Sequence, residues 1–489
     1  MYTSTRSDMK IPASRAIING LASDGGLYVI KSLKNIKVLD INELVGKSYK
    51  EIALIVLKEY LNDFQEEDIK SIIDEAYDNT FSCDDVVNLK KCKDSYFLEL
   101  FHGPTMAFKD VALSILPLLL KQGKKIQNDN RKTVILTATS GDTGSAALSG
   151  FSKDGNAGMI VLYPTCGVSL VQEKQMQSFR STNMIPAALV GNFDDAQSLV
   201  KKVFSNKEVK QMCDDNDINL SSANSINIGR LIPQIVYYIY SYVNLLSKGE
   251  IKKDEKINFV VPTGNFGNIL ACYMAKAMGV NINKIICASN LNSVLTDFFQ
   301  KHVYDKNREF YKTNSPSMDI LISSNLERLL YYICEDSNLV RELMNELNTK
   351  GIYDIPEVIQ KGLNDFASYS SNEVETLNAI NKVYQENDYL IDTHTAVAYS
   401  VYKKYVDEYN DNTKTVIAAT AHPFKFPKAV AMALGMDNSY DEFTLIDMLS
   451  EKTNVKIPSQ IEKLKQEFTK EVWTKDQAFD QIVKNINIK

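Results

Sequence analysis

Apolar positions along this chain change period near residue 95. Before that point, segments such as 49–61 set apolar side chains every third or fourth residue among charged ones, the spacing of amphipathic helices. This predicts a separate, mainly helical N-terminal domain over 1–94, ending in the charged run Lys90-Lys-Cys-Lys-Asp94. After it, short apolar runs alternate with helical ones. Residues 96–101, 133–137, 159–163, 185–190, 257–261 and 414–419 predict strands; 145–151, 268–278 and 428–434 predict helices that follow them. Such alternation predicts an α/β fold with parallel sheets covered by helices on both faces. Ile228, Leu231, Ile232, Ile235, Val236, Ile239 and Val243 recur at helical spacing and predict a long core helix. Residues 290–390 break the alternation and read as a helical insertion. We therefore expect two doubly wound subdomains within 95–489: a small one over roughly 133–222 and a large one from the remainder.

Composition narrows the field. A chain of 489 residues can hold two or three domains. Its formal charge, 55 − 61 = −6, is spread without long blocks, which argues against nucleic acid as a partner. Seven scattered cysteines form no Cys-x-x-Cys pair, and four histidines form no metal-type pair, which argues against a disulfide framework or a metal site. The first residues carry no apolar stretch of the secretory type. The longest clean apolar run, 111–120, contains Pro117 and is too short to cross a bilayer. The expectation is a soluble cytoplasmic enzyme, a monomer or weak homo-oligomer, acting on a small molecule.

The candidate chemistry begins at Lys109, between the strand-like 96–101 and an apolar helix. A primary amine there sits where α/β proteins bind ligands. The helix N-terminus and partial burial both disfavour its ammonium form, which suits a Schiff base with a carbonyl cofactor. Four polar loops accompany it. Gly264-Asn-Phe-Gly-Asn268 follows a strand and opens a helix, so its N–H groups can face an anion; it equally reads as an ordinary turn. Ser140-Gly-Asp-Thr-Gly144 gathers hydroxyls and a carboxylate that either bind a ligand or cap a helix. Ser221 to Arg230 brings amides, hydroxyls and one arginine to the start of the core helix, where a bound anion would offset the cation's unfavourable placement. Thr420-Ala-His-Pro-Phe-Lys-Phe-Pro427 ends a strand with a hydroxyl that can face a ligand. His422, His102, His302 and His394 read as structural histidines.

Taken in order, these pieces resemble the threonine synthase family, pyridoxal-phosphate (PLP) enzymes of the tryptophan-synthase-β fold type. The matching motifs are His102-Gly-Pro-Thr-x-Ala-Phe-Lys-Asp110, Thr139-Ser-Gly-Asp-Thr-Gly-Ser145, Asn224-Ser-Ile-Asn-x-x-Arg230, Pro262-x-Gly-Asn-Phe-Gly267, Ser315-Pro-Ser-Met-Asp-Ile320 and Thr420-Ala-His-Pro-x-Lys-Phe426. Tyr2-x-Ser-Thr-Arg6 and Asp24-Gly-Gly-Leu-Tyr28 extend the likeness, which is to the longer bacterial and fungal branch; Ser7 stands where that family suggests glycine. The resemblance implies fold type II and PLP held covalently by Lys109. It implies a cofactor-phosphate loop of Gly264, Asn265, Phe266, Gly267 and Asn268, with Thr420 at the pyridine nitrogen. It implies a substrate, O-phospho-L-homoserine, with Ser140, Asp142 and Thr143 holding its carboxylate and the cofactor edge. Asn227 and Arg230, and less directly Lys174, are its candidates for the substrate phosphate. The implied reaction releases phosphate from Cγ and adds water at Cβ to give L-threonine, the last step of threonine biosynthesis. A serine/threonine dehydratase or a β-replacing synthase would share Lys109 and the glycine loop but would not need Arg230. A cofactor-binding protein without activity would lack the lysine or a loop glycine, and a kinase-like enzyme would need a P-loop that is absent.

Overall fold

The structure, a computed structural model, describes residues 1–93, 95–155 and 157–487. Two parallel sheets dominate it, as the alternation predicts. The smaller is five-stranded and wholly parallel, in the spatial order Glu471–Trp473, Met184–Leu189, Ala157–Pro164, Lys132–Ala138, Ile218–Ser221. The larger is six-stranded, in the order Phe366–Ser370, Ile282–Ser289, Ile257–Pro262, Thr415–Ala419, Ser95–Glu99, Asn88–Cys92. Its last strand alone runs antiparallel. The inner strands Ala157–Pro164, Ile257–Pro262 and Thr415–Ala419 are buried along their whole length, as a sheet covered on both faces requires. The core helix Ile228–Ser247 is almost entirely buried and packs on the helices Tyr49–Tyr60 and Gly267–Ala277.

Three expectations about the divisions need correction. The charged run at 90–94 is not a break: Lys90 and Lys91 lie in the edge strand Asn88–Cys92, opposite Phe97 and Tyr96. Exposed lysines on an edge strand block further pairing, so the charges mark an edge and not a linker. Asp94, the expected boundary residue, lies outside the described residues. The region 290–390 is not a helical insertion. It supplies the edge strand Phe366–Ser370 of the large sheet and a two-stranded antiparallel sheet, Val303–Asp305 with Ile352–Asp354, among its helices. Finally, the remainder of the chain does not all join the large subdomain. Glu471–Trp473 pairs with Met184–Leu189 of the small sheet, and the helix Lys475–Asn487 packs beside it.

The N-terminal region holds the helices Ala13–Asn19, Tyr49–Tyr60 and Glu66–Tyr77, the second over the predicted 49–61. A Ser48/Glu51 capping box starts the second. It also holds an unpredicted antiparallel sheet with Tyr2–Ser4 between Ser7–Ile11 and Tyr28–Ile30. Ser7, the residue that departs from the family pattern, donates its hydroxyl to Asp24 within this unit.

Candidate active site

Five loops leave the C-terminal ends of parallel strands and meet at one cleft of about 300 Å³. This is the crevice where open parallel sheets place ligands. Lys109, Ser140, Asp142, Thr143, Arg230, Thr420 and the whole stretch Gly264 to Asn268 line it. Lys109 and Thr420 are placed together by the backbone. Phe108 N–H donates to Thr420 O at 2.8 Å, and His422 N–H donates to Met106 O at 3.1 Å. Asp110 braces the loop before Lys109 by accepting from Thr105 N–H at 2.8 Å and from its hydroxyl at 2.6 Å. Gly103 cannot carry a side chain there, because a Cβ would come within 2.4 Å of the Asp110 side chain.

Lys109 is buried, and burial pushes its amine down to about 8. Asp142 resists that fall from 3.7 Å, while Arg230 and Lys425 add to it. Nζ also donates to Ser317 Oγ at 3.3 Å. Asp142 is itself nearly inaccessible. Burial opposes its ionisation, but Lys425 at 2.9 Å and Lys109 outweigh that and hold the carboxyl far below the usual range. Gln172 Nε2 donates to it at 2.9 Å. Gly141, at φ 128°, brings the chain into this helix start, where a Cβ would strike the Gln172 side chain.

The glycine loop has the chemistry of an anion cradle. Phe266 enters the helix Gly267–Ala277 at φ 63°, a left-handed conformation that a bulky residue adopts only when its surroundings fix it. The first intrahelical bond of that helix runs from Leu270 N–H to Phe266 O, so the amides before Leu270 precede the ladder. Gly264 passes so close to the 317 backbone that a Cβ would lie 2.6 Å from Ser317 O. Asn268, which lines the cleft, accepts from the Tyr237 and Tyr238 hydroxyls, at 2.5 and 2.6 Å, and its buried amide nitrogen is left without a protein partner. Across the cleft, Arg230 donates Nη1 to Ala223 O at 2.8 Å, but its buried Nε has no partner. Burial pushes this guanidinium down to about 10, so it stays charged at neutral pH. Two orphan donors, one cationic, in one cleft are what a bound anion would satisfy. A phosphorylated carbonyl cofactor therefore fits the residues present.

Two of the predicted residues are not in the cleft. Asn227 caps the core helix: its Oδ1 accepts from Gly229 N–H and its Nδ2 donates to Ile17 O, both at 2.9 Å. Lys174 donates to Gln466 O at 3.0 Å and pairs with Glu467, on the far side of its helix. Other residues enter that the sequence reading gave no catalytic or binding role. Lys425, fully buried, links Asp142 to Thr105 O at 2.7 Å. His394 lines the cleft with both ring nitrogens used, Nδ1 on Asp392 at 2.8 Å and Nε2 accepting from Ser317 N–H at 3.2 Å. It thereby holds the loop that carries Ser317. Lys201, on the helix Phe193–Ser205, reaches the rim with no motif to mark it.

Comparison with known proteins agrees with this geometry. Residues 86–421 match the family described as pyridoxal-phosphate dependent enzyme, which fixes the class as an α/β enzyme built around that cofactor. Residues 1–77 match the threonine synthase N terminus and residues 395–470 the threonine synthase C-terminal region. The threonine synthase of Schizosaccharomyces pombe is 36% identical over 473 residues, covering 90% of each chain. The crystal structure of PLP-bound threonine synthase from Brucella melitensis superposes with a TM-score of 0.87 at 35% identity, covering 100% of this chain and 98% of that one. The yeast enzyme gives 0.88 at 33% identity, covering 100% and 99%. This chain belongs to the threonine synthase family.

Proposed function

We propose that this enzyme converts O-phospho-L-homoserine and water to L-threonine and phosphate, with Lys109 as the covalent anchor of PLP and the proton carrier of the reaction. The observation that carries the reading is Arg230: a buried guanidinium, unpaired at Nε, in the same cleft as a lysine whose pKa is lowered to about 8. A serine/threonine dehydratase acts on a substrate whose only anion is its carboxylate, and would not need a cation for a phosphate.

The amides and the Asn268 side chain at 264–268 would hold the cofactor phosphate, Lys109 its aldehyde carbon, and Thr420 its ring nitrogen. Bound there, PLP supplies an electron sink for the substrate's Cα. A hydroxyl partner, as at Thr420, does not enforce a protonated ring. Lys109 Nζ takes and returns protons near working pH, because its pKa lies close to that pH. Asp142 and Ser317 keep Nζ aimed into the cleft. Ser140 and Thr143 present hydroxyls to the substrate carboxylate. Arg230 holds the substrate phosphate and stabilises it as it leaves Cγ. Fixing the substrate at both ends contributes several kcal/mol, within the roughly 7–11 available from orientation.

All these groups come from one chain, so a monomer suffices. Its free cysteines, and the lack of any helix among the described residues long and apolar enough to cross a membrane, support a cytoplasmic setting. The test is product identity. Purified protein given phosphohomoserine should release phosphate and threonine in equal amounts. Keto-acid release, or turnover of serine in preference, would replace this reading with the dehydratase one.

A further inference from the structure

Arg328 follows the first residues of the helix Leu326–Cys334, and its side chain is fully buried. Among the described residues it has no carboxylate partner, because its neighbour Glu327 is bound by Arg6 at 2.8 Å and by the Thr5 hydroxyl. Burial pushes its pKa down to about 10, which still leaves it a cation. A buried charge bound only to neutral oxygens is costly to keep for stability alone. What the guanidinium provides is three directions at once. Nε donates to Tyr28 O at 3.0 Å, Nη2 to Ile226 O at 2.6 Å, and Nη1 to Asn325 Oδ1. Tyr28 belongs to the N-terminal sheet and Ile226 to the loop that lines the cleft before the core helix.

The third arm reaches the glycine loop. With Arg328 holding its Oδ1, Asn325 turns Nδ2 toward Asn265 O at 2.9 Å, and its backbone N–H donates to the same carbonyl at 3.0 Å. Nδ2 also reaches Ser225 O at 3.3 Å, and Ser323 Oγ donates to Gly264 O at 2.6 Å. In a trans peptide, C=O and the next N–H point opposite ways. Drawing the carbonyls of 264 and 265 toward this segment therefore aims the N–H groups of Asn265 and Phe266 the other way.

We propose that Arg328 is a positioning residue for cofactor binding: through Asn325 it sets the peptide planes that face the cofactor phosphate, and it ties them to the N-terminal sheet and the 224–226 loop. The inference rests on assigning 264–268 to that phosphate.

The test compares PLP with pyridoxal, which has the same ring and aldehyde but no phosphate, for binding to the full-length apoprotein by absorption. Wild type should prefer PLP strongly. Arg328→Met and Asn325→Ala should each reduce that preference by about tenfold or more while leaving pyridoxal affinity unchanged. The double variant should lose no more than the worse single one, because the two act in series. Equal loss for both ligands, or additive losses, would make Arg328 merely structural and overturn the proposal. Should Arg328→Met not fold, Asn325→Ala decides alone. Gly264→Ala separates the two layers. If it abolishes the preference while Asn325→Ala keeps it, this inference falls and the loop assignment stands. If Gly264→Ala keeps the preference, the loop assignment falls, and the proposal with it.

Discussion

Replacing Asp142 with asparagine removes the counter-charge that Lys109 and Lys425 share, without changing the shape of the side chain. Oδ2 lies 3.7 Å from Lys109 Nζ, and Oδ1 lies 2.9 Å from Lys425 Nζ. At an effective dielectric of about 20, unit charges at the longer distance interact by roughly 4 kcal/mol, or about 3 pKa units. The asparagine dipole and admitted water offset part of this, so about half is the working figure. Lys109, already lowered to about 8, should then fall by roughly 1.5 units in the variant. The sign follows from linkage. The folded pKa of Lys109 lies below its ordinary 10.5, so its burial penalty is largest below about pH 8 and stability rises with pH between the two values. The variant extends that window to lower pH. Lys425, with no solvent contact, loses its carboxylate, and a broken buried pair costs about 3–5 kcal/mol. The assay is the pH dependence of PLP capture by the apoprotein, followed by absorption, beside urea unfolding. An inflection that stays put, or moves upward, would refute the electrostatic reasoning.

Other outcomes follow from particular contacts. Gly150→Ala should lower the unfolding midpoint sharply, because its Cβ would lie 2.0 Å from Leu113 O and force the helix Asp142–Phe151 off the helix Lys109–Leu113; Gly155→Ala, in open space, is the control and should leave the midpoint unchanged. Lys174→Ala should keep kcat/KM within about threefold of wild type, because the pairing it loses is at the surface and outside the cleft. His422 is held neutral by burial, its pKa pushed down to about 3, so the fold loses stability as pH drops below the ordinary 6.5. The ring keeps some solvent contact, so the loss by pH 5 should be about 1 kcal/mol, half the roughly 2 that full burial would give; urea unfolding of His422→Gln at both pH values should show that loss removed.

The sheets and most of the cleft were readable from the chain because buried parallel strands are continuous apolar runs. Ile257–Pro262 and Thr415–Ala419 differ from the predicted bounds by a single residue at one end. Strands of three residues, such as Tyr2–Ser4 and Glu471–Trp473, carry too little pattern to find, and only the fold brings the latter back to the small sheet. The polar loops were visible as clusters of small polar residues, but a cluster does not tell which side chain faces the ligand. Asn227 looked like a binding group and is a cap, because its amide is drawn to Ile17, 210 residues away in the chain. Lys425 and Ser317 stood inside recognised motifs with no local signal of their roles. Arg328 had no signal at all, since two of its three acceptors lie on segments 300 and 102 residues distant.

The central claim is that the amine at position 109 carries the cofactor. Borohydride reduction of the PLP-loaded protein, followed by peptide mapping, tests it in one step. A single modified peptide, labelled at Lys109, is the expected result. Label on Lys425 or Lys201, or none at all, would contradict it.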